Sequence, residues 1–272
     1  MSVIIPEFRE IKMEELPLVS NFPPVEWNLN LEFVYGIHFN QPYFYAAVAI
    51  VDNVIAGTGM AIMNKTVAWL GTIIVKENYR NKGIGNAITK HLIDTAQCKG
   101  AETVLLTASD MGKPIYERLG FKTDINYVFF KPNEIVPIKD GDQCIRKIDK
   151  ADYDEICELD FTTSGEDRSE LLINNAFDGI KYDDHGIKGF YLPSFGKGLI
   201  VASDNISGIE LLKSKITTEK SSVCVPETNI NAINYLLSAG YNQFSKIPRM
   251  FLGENVEWKP ECIFSRGSGY MG

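Results

Sequence analysis

Ile73-Ile74-Val75-Lys76-Glu77-Asn78-Tyr79-Arg80-Asn81-Lys82-Gly83-Ile84-Gly85-Asn86 is the stretch whose reading decides the fold. An apolar run ends at Val75. After the glycines, apolar residues recur at Ile84, Ile88, Leu92 and Ala96, a helical stripe that Gly100 ends. The stretch therefore reads as strand, loop and helix. The first N–H groups of a helix lack intrahelical partners and the dipole is positive there, which makes the loop an anion site. Gly83 and Gly85 carry no side chain to block a phosphate, while Lys76, Arg80 and Lys82 add positive charge. A pyrophosphate suits such a loop.

Working outward, Phe44 to Val51, Val54 to Met63 and Thr66 to Val75 read as three strands, with turns at Asp52-Asn53 and Asn64-Lys65. The third run is apolar enough for burial on both faces. Met13 to Phe22 and Asn28 to Phe39 have helix-like spacing, the latter with Leu29, Phe33 and Ile37 on one stripe and Val34 on the next. Downstream come a strand (Thr103 to Thr107), a short helix (Lys113 to Leu119) closed by Gly120, and a strand (Phe121 to Phe130). A P-loop string is absent. The dinucleotide fingerprint fails at Ile88, where it needs a small residue, and no clear ribose-binding acid follows.

The ordered set of Val75, Tyr79-Arg80, Gly83, Gly85, a long helix, a strand, Tyr116 and Gly120-Phe121 resembles the GNAT superfamily of N-acetyltransferases, over most of residues 1–133. The resemblance implies an α/β (α+β) fold: a mixed sheet flanked by helices and splayed open between the strand ending at Val75 and the strand from Thr103. It implies acetyl-CoA as co-substrate and no metal. The pantetheine arm would pair with the backbone of Ile73, Ile74 and Val75. Arg80, Asn81, Lys82, Gly83, Ile84, Gly85 and Asn86 would hold the pyrophosphate. Ser109 stands where the family often has asparagine near the cofactor, and Gly112 where alanine is common. Tyr116 would touch the cofactor and protonate the departing thiolate, and the Val75 N–H would stabilise the oxyanion. The strand Thr66 to Val75 carries no carboxylate to act as base, which leaves a water or backbone relay, or Asp110.

A second copy is expected. Ser109, Gly112, Tyr116 and Gly120-Phe121 after one strand match Asn229, Ala232, Leu236 and Gly240-Tyr241 after Ser221 to Val225. Residues 1–133 would form the acetyl-CoA-binding domain and 134–142, with Pro137 and Gly141, a linker. Residues 143–272 would form a second GNAT-like domain. That domain has no Arg-x-x-Gly-x-Gly, and Leu236 replaces the tyrosine, so cofactor binding is assigned to the first. Its expected role is to shape or cover the acceptor pocket. Asp183-Asp184-His185-Gly186 reads as a solvated turn, Glu166-Asp167-Arg168 as a helix-capping run, Phe190-Tyr191-Leu192 and Phe195 as strand core, and His38 and His91 as packing or surface residues.

Composition limits the function. The 272 residues carry a net charge of −8, which argues against non-specific nucleic-acid binding and favours a neutral or cationic acceptor. The five scattered cysteines form no Cys-x-x-Cys pair and read as small buried hydrophobes. The N-terminus lacks a signal-peptide pattern and no window is long and apolar enough to span a bilayer, so a cytoplasmic protein without membrane partners is expected, monomer or homodimer. The sequence thus reads as an N-acetyltransferase acting on a primary amine of a small molecule or peptide. The alternative is a non-catalytic acyl-CoA-binding sensor or scaffold.

Overall fold

The computed structural model describes residues 5–27, 29–133, 143–218 and 221–272. In chain order the elements are β1 (Glu7–Glu10), α1 (Leu16–Val19), α2 (Leu31–His38), β2 (Phe44–Val51), β3 (Val54–Asn64), β4 (Val67–Val75), α3 (Ile84–Cys98), β5 (Thr103–Thr107), α4 (Lys113–Arg118), β6 (Lys122–Pro132), β7 (Ile145–Lys147), α5 (Tyr153–Ser164), α6 (Ser169–Asn174), β8 (Ile180–Asp183), β9 (Ile187–Leu192), β10 (Leu199–Ala202), α7 (Asn205–Thr218), β11 (Val223–Pro226), α8 (Ile230–Ser238), β12 (Tyr241–Gly253) and β13 (Ile263–Ser265). They form two compact units. One runs up to Lys122 and includes Met250–Glu254; the other holds Thr123–Arg249 and Asn255–Gly272.

In the first unit the strands lie in the order β1-β2-β3-β4-β5, with the end of β12 beyond β5. Pairing is antiparallel as far as β4 and parallel between β4 and β5. The expected stripe of α3 is buried: Ile84, Ile88, Leu92 and Ala96 pack with β2, β3 and β4 in one core. Two glycines bring the helix down onto β3. A Cβ at Gly57 would lie 2.7 Å from Ile88 Cδ1, and one at Gly59 would lie 2.9 Å from Leu92 Cδ1. On α2 the structure corrects the expected face. The buried residues are Leu31, Val34, Tyr35 and His38, while Phe33 and Ile37 are exposed. Asn30 caps this helix by accepting from Phe33 N–H at 3.0 Å, which fixes its start at Leu31, three residues later than the apolar spacing suggested.

The second unit repeats the first's order of elements: β10, α7, β11, α8 and β12 follow one another as β4, α3, β5, α4 and β6 do. Its five-stranded sheet runs β13-β10-β9-β8-β7, and β12, β6 and β11 form a further set. Antiparallel pairing of β6 with β11, Phe130 opposite Val223 through Tyr127 opposite Pro226, groups Thr123 onward with this unit. The first unit, in turn, holds Met250–Glu254, where Thr103 Oγ1 donates to Glu254 O at 2.7 Å. By compactness the first unit ends at Lys122 and, with Met250–Glu254, is discontinuous in sequence. Residues 134–142, read as a linker, lie outside the described residues.

Three smaller expectations also change. Glu166-Asp167-Arg168 is more than a capping run, because the Arg168 side chain is buried and pairs with Asp160 (Nε to Oδ2 2.7 Å, Nη2 to Oδ1 2.8 Å). Cys98 is exposed; of the five cysteines only Cys224 is buried. Met13 to Phe22 forms a 3-10 turn and the single-turn α1 rather than one helix. Asp184, His185 and Gly186 do form a turn, between β8 and β9, with His185 exposed, and Phe190, Tyr191, Leu192 and Phe195 are buried.

Candidate active site

The sheet of the first unit parts where the sequence places the opening. The β4–β5 ladder comprises Val67–Thr103, Ala68–Val104 and Trp69–Leu105, and β4 then continues to Val75. A bulge drives the departure. Between Thr58–Ile74 and Met60–Gly71, β4 carries one residue more than β3, and Thr72 takes a left-handed φ of 50°. Tyr35 holds this turn, its hydroxyl bonded to Thr72 Oγ1 at 2.9 Å and Thr58 Oγ1 at 3.1 Å. Thr58 in turn donates to Ala47 O at 2.9 Å. Past the bulge, Lys76 N–H donates to Ala56 O on the β3 side at 2.9 Å. Successive N–H groups of a strand alternate between its edges, so that of Val75 is directed to the open edge.

A cleft of about 500 Å³ lies along that edge. Of the residues expected to bind the cofactor, Ile73, Val75, Arg80, Asn81, Gly83, Ile84, Gly85, Asn86, Ser109 and Tyr116 line it. Ile74 does not; its side chain is buried opposite Thr58. Lys82 does not either, since its ammonium donates to Asn78 O at 2.9 Å and lies over the Tyr79 ring. Arg80 Nε donates to Val75 O at 3.1 Å, tying the loop to the end of β4.

The loop has the geometry of an anion cradle. Gly83, at φ 85°, is the N-cap of α3 and gives no side-chain cap, and Asn81 is also left-handed at φ 61°. The first helical bond runs from Ala87 N–H to Gly83 O, so Ile84, Gly85 and Asn86 have N–H groups without an intrahelical acceptor. Arg80 and Arg118 both reach the cleft, and no Asp, Glu or His lines it. In an acidic chain this is a local positive site, and its residues fit a pyrophosphate.

Tyr116 sits at the other wall. The phenol ring is 9% exposed and packs against Phe121 with ring centroids 5.9 Å apart. Gly112 makes the room, because a Cβ there would lie 2.8 Å from Tyr116 Cε2. The hydroxyl bonds to no described residue, and burial pushes its pKa up to about 12. Tyr116 is thus held as a neutral donor facing the cleft. Asp110 is exposed and outside the lining. His91 stacks on Phe8 at 4.4 Å and meets Tyr45 Oη at 2.9 Å, and His38 is buried. Six lining residues escaped the sequence reading, among them Thr89 on α3 and Pro114 and Ile115 on α4. Trp27 lies in a 3-10 turn without periodicity, Met111 in a loop, and Arg118 in the last turn of α4.

The site thus combines a splayed mixed sheet, an uncapped helix start and a buried phenol at the opening. Comparison with known proteins finds a family match in the first unit: residues 5–121 match the acetyltransferase (GNAT) family. A glucosamine 6-phosphate N-acetyltransferase of Trypanosoma brucei brucei is 33% identical over 58 residues; the match takes in 21% of this chain and spans 40% of that relative. Among solved structures, a proposed acetyltransferase from Pyrococcus horikoshii superposes with a TM-score of 0.82 at 21% identity, covering 98% of this chain and 95% of the other. A tandem GNAT protein from the clavulanic acid biosynthesis pathway gives a TM-score of 0.59 at 13% identity, covering 91% and 98%. At these identities the structural matches speak for the fold, which is that of two tandem GNAT-like units.

Among the described residues no helix is long and apolar enough to cross a membrane, and no three His, Cys, Asp or Glu side chains are grouped to hold a metal ion.

Proposed function

We propose that the first unit transfers an acetyl group from acetyl-CoA to a primary amine by direct attack in a ternary complex. The observation that carries this is the open edge of β4 beyond Trp69, which ends between an uncapped helix start and a free phenol. Arg80, Asn81, Gly83, Ile84, Gly85 and Asn86 would bind the pyrophosphate, with Arg118 adding charge from the lining. Ile73, Ile74 and Val75 offer backbone groups to the pantetheine, and Ser109 a hydroxyl beside it.

The thioester supplies a carbonyl open to attack and a thiolate leaving group. The chain's residues act on the charges that develop. Val75 donates its N–H to the carbonyl oxygen as it gains charge. Tyr116 donates its O–H to the departing sulfur, and its raised pKa keeps that proton in place at neutral pH. With no carboxylate or imidazole lining the cleft, the amine's proton leaves through water, and turnover rises with pH as the free amine is formed.

The test is acetyl transfer measured across an amine panel, headed by the amino sugar phosphate that the Trypanosoma relative's name suggests and followed by small amines and peptides. Turnover of one class establishes the reading. Tight acetyl-CoA binding with no turnover of any amine would instead establish an acyl-CoA-binding sensor or scaffold.

A further inference from the structure

In the first unit the cleft exists because β4 parts from β5. In the second unit the strands at the equivalent positions, β10 and β11, do not leave an open edge. We propose that the chain's own C-terminal segment, Ile263 to Gly267, is a built-in occupant of the second unit's cleft. It lies where an extended pantetheine would lie, so that the full chain takes up a single equivalent of acetyl-CoA. This rests on the reading that the first unit binds acetyl-CoA.

The segment is fastened on both sides. Along β10 it forms the antiparallel strand β13, with Ile200 opposite Ser265 and Val201 opposite Ile263, and Ser265 Oγ donates to Gly198 O at 2.7 Å. On the β11 side, Arg266 N–H donates to Cys224 O at 2.7 Å and Asn229 Nδ2 donates to Ile263 O at 3.0 Å. Lys197 N–H donates to Gly267 O at 2.7 Å, closing the far end. The β10–β13 ladder and the Arg266 and Lys197 N–H bonds are main-chain bonds of the kind by which a sheet edge captures an extended chain, and the Ser265 and Asn229 side chains add to them.

The helix start is blocked as well. Phe264 is 1% exposed and its ring covers the first turn of α7; a Cβ at Gly208 would lie 2.2 Å from Phe264 Cε2. The glycine at that position is thus matched to the tail. Asp204 accepts from Ser207 N–H at 2.9 Å, so a carboxylate caps α7 where α3 has an uncapped glycine. A negative cap satisfies the helix start and repels a phosphate.

Two measurements on the full chain decide the matter: calorimetric stoichiometry with acetyl-CoA, and amide exchange of residues 263–267 with and without it. The expected result is one equivalent, and exchange at least ~100-fold slower than in an unstructured chain, unchanged at saturating ligand. Two equivalents, free exchange of the segment, or loss of its protection when acetyl-CoA is added would overturn the proposal. Zero equivalents with the segment still protected would refute the acetyl-CoA reading of the first unit and leave the occupant standing.

Discussion

Replacing Tyr116 by phenylalanine separates chemistry from packing, because the structure assigns the hydroxyl nothing to do in the fold. The ring is wedged between Gly112 and Phe121, and phenylalanine keeps those contacts. The hydroxyl has no partner among the described residues, so its removal forfeits no internal hydrogen bond. Stability should therefore change by no more than about 0.5 kcal/mol, the range of substitutions that break no packing or bond. A positioned acid contributes roughly 100- to 10,000-fold, or about 3 to 5 kcal/mol of barrier. Tyr116→Phe should lower kcat by about 100-fold or more while the KM for acetyl-CoA stays within about threefold, an effect under 1 kcal/mol. Steady-state assays with the best amine, alongside urea unfolding of both proteins, measure the two effects. The wild-type profile should also show no loss of rate from this group as pH rises toward 10, since the folded phenol titrates near 12. A fall in kcat of less than about fivefold, with stability unchanged, would refute the acid role.

Other perturbations address the frame around the site. Gly83→Ala places a side chain at φ 85°, costing about 1 to 2 kcal/mol, and should weaken acetyl-CoA binding by roughly tenfold in calorimetry. His38 is buried, and burial depresses its pKa from 6.5 to about 4. Its neutral form is the folded one, so its contribution is complete above pH 6.5 and is lost as pH falls toward 4. About 3 kcal/mol of acid destabilisation should vanish in His38→Phe, read from unfolding at pH 7 and pH 4.5. Arg168→Met leaves Asp160 buried without its partner and should cost about 3 to 5 kcal/mol, most of it regained in the double variant with Asp160→Leu; thermal unfolding reports both.

The cofactor loop was readable because its signals are local. Two glycines, a strand end and a helical stripe sit within about thirty residues, and each carries a backbone consequence. Tyr116 was readable only through the ordered company it keeps. What the sequence hid depends on distant partners. The strand ladders decide that Thr123 belongs with β11 and Met250 with β5, and no spacing within either strand announces it. The α2 face was misread because Phe33 and Ile37 are apolar yet exposed, while the buried Tyr35 and His38 carry polar atoms; Tyr35 turns its hydroxyl to the β4 bulge. Arg168 reads as part of a capping run because its pairing with Asp160 of α5 is set by the fold of the intervening turn. Ile74 and Lys82 fall in the right stretch, but strand alternation and a local carbonyl take their side chains out of the cleft.

The central claim is that the opening between β4 and β5 receives acetyl-CoA with its pyrophosphate on the start of α3. A crystal structure with coenzyme A bound tests it most directly. The account predicts phosphate oxygens against the N–H groups of Gly83 to Asn86, the pantetheine along Ile73 to Val75, and the sulfur within hydrogen-bond reach of the Tyr116 hydroxyl. Coenzyme A seated elsewhere, or a thiol remote from Tyr116 and Val75, would contradict it.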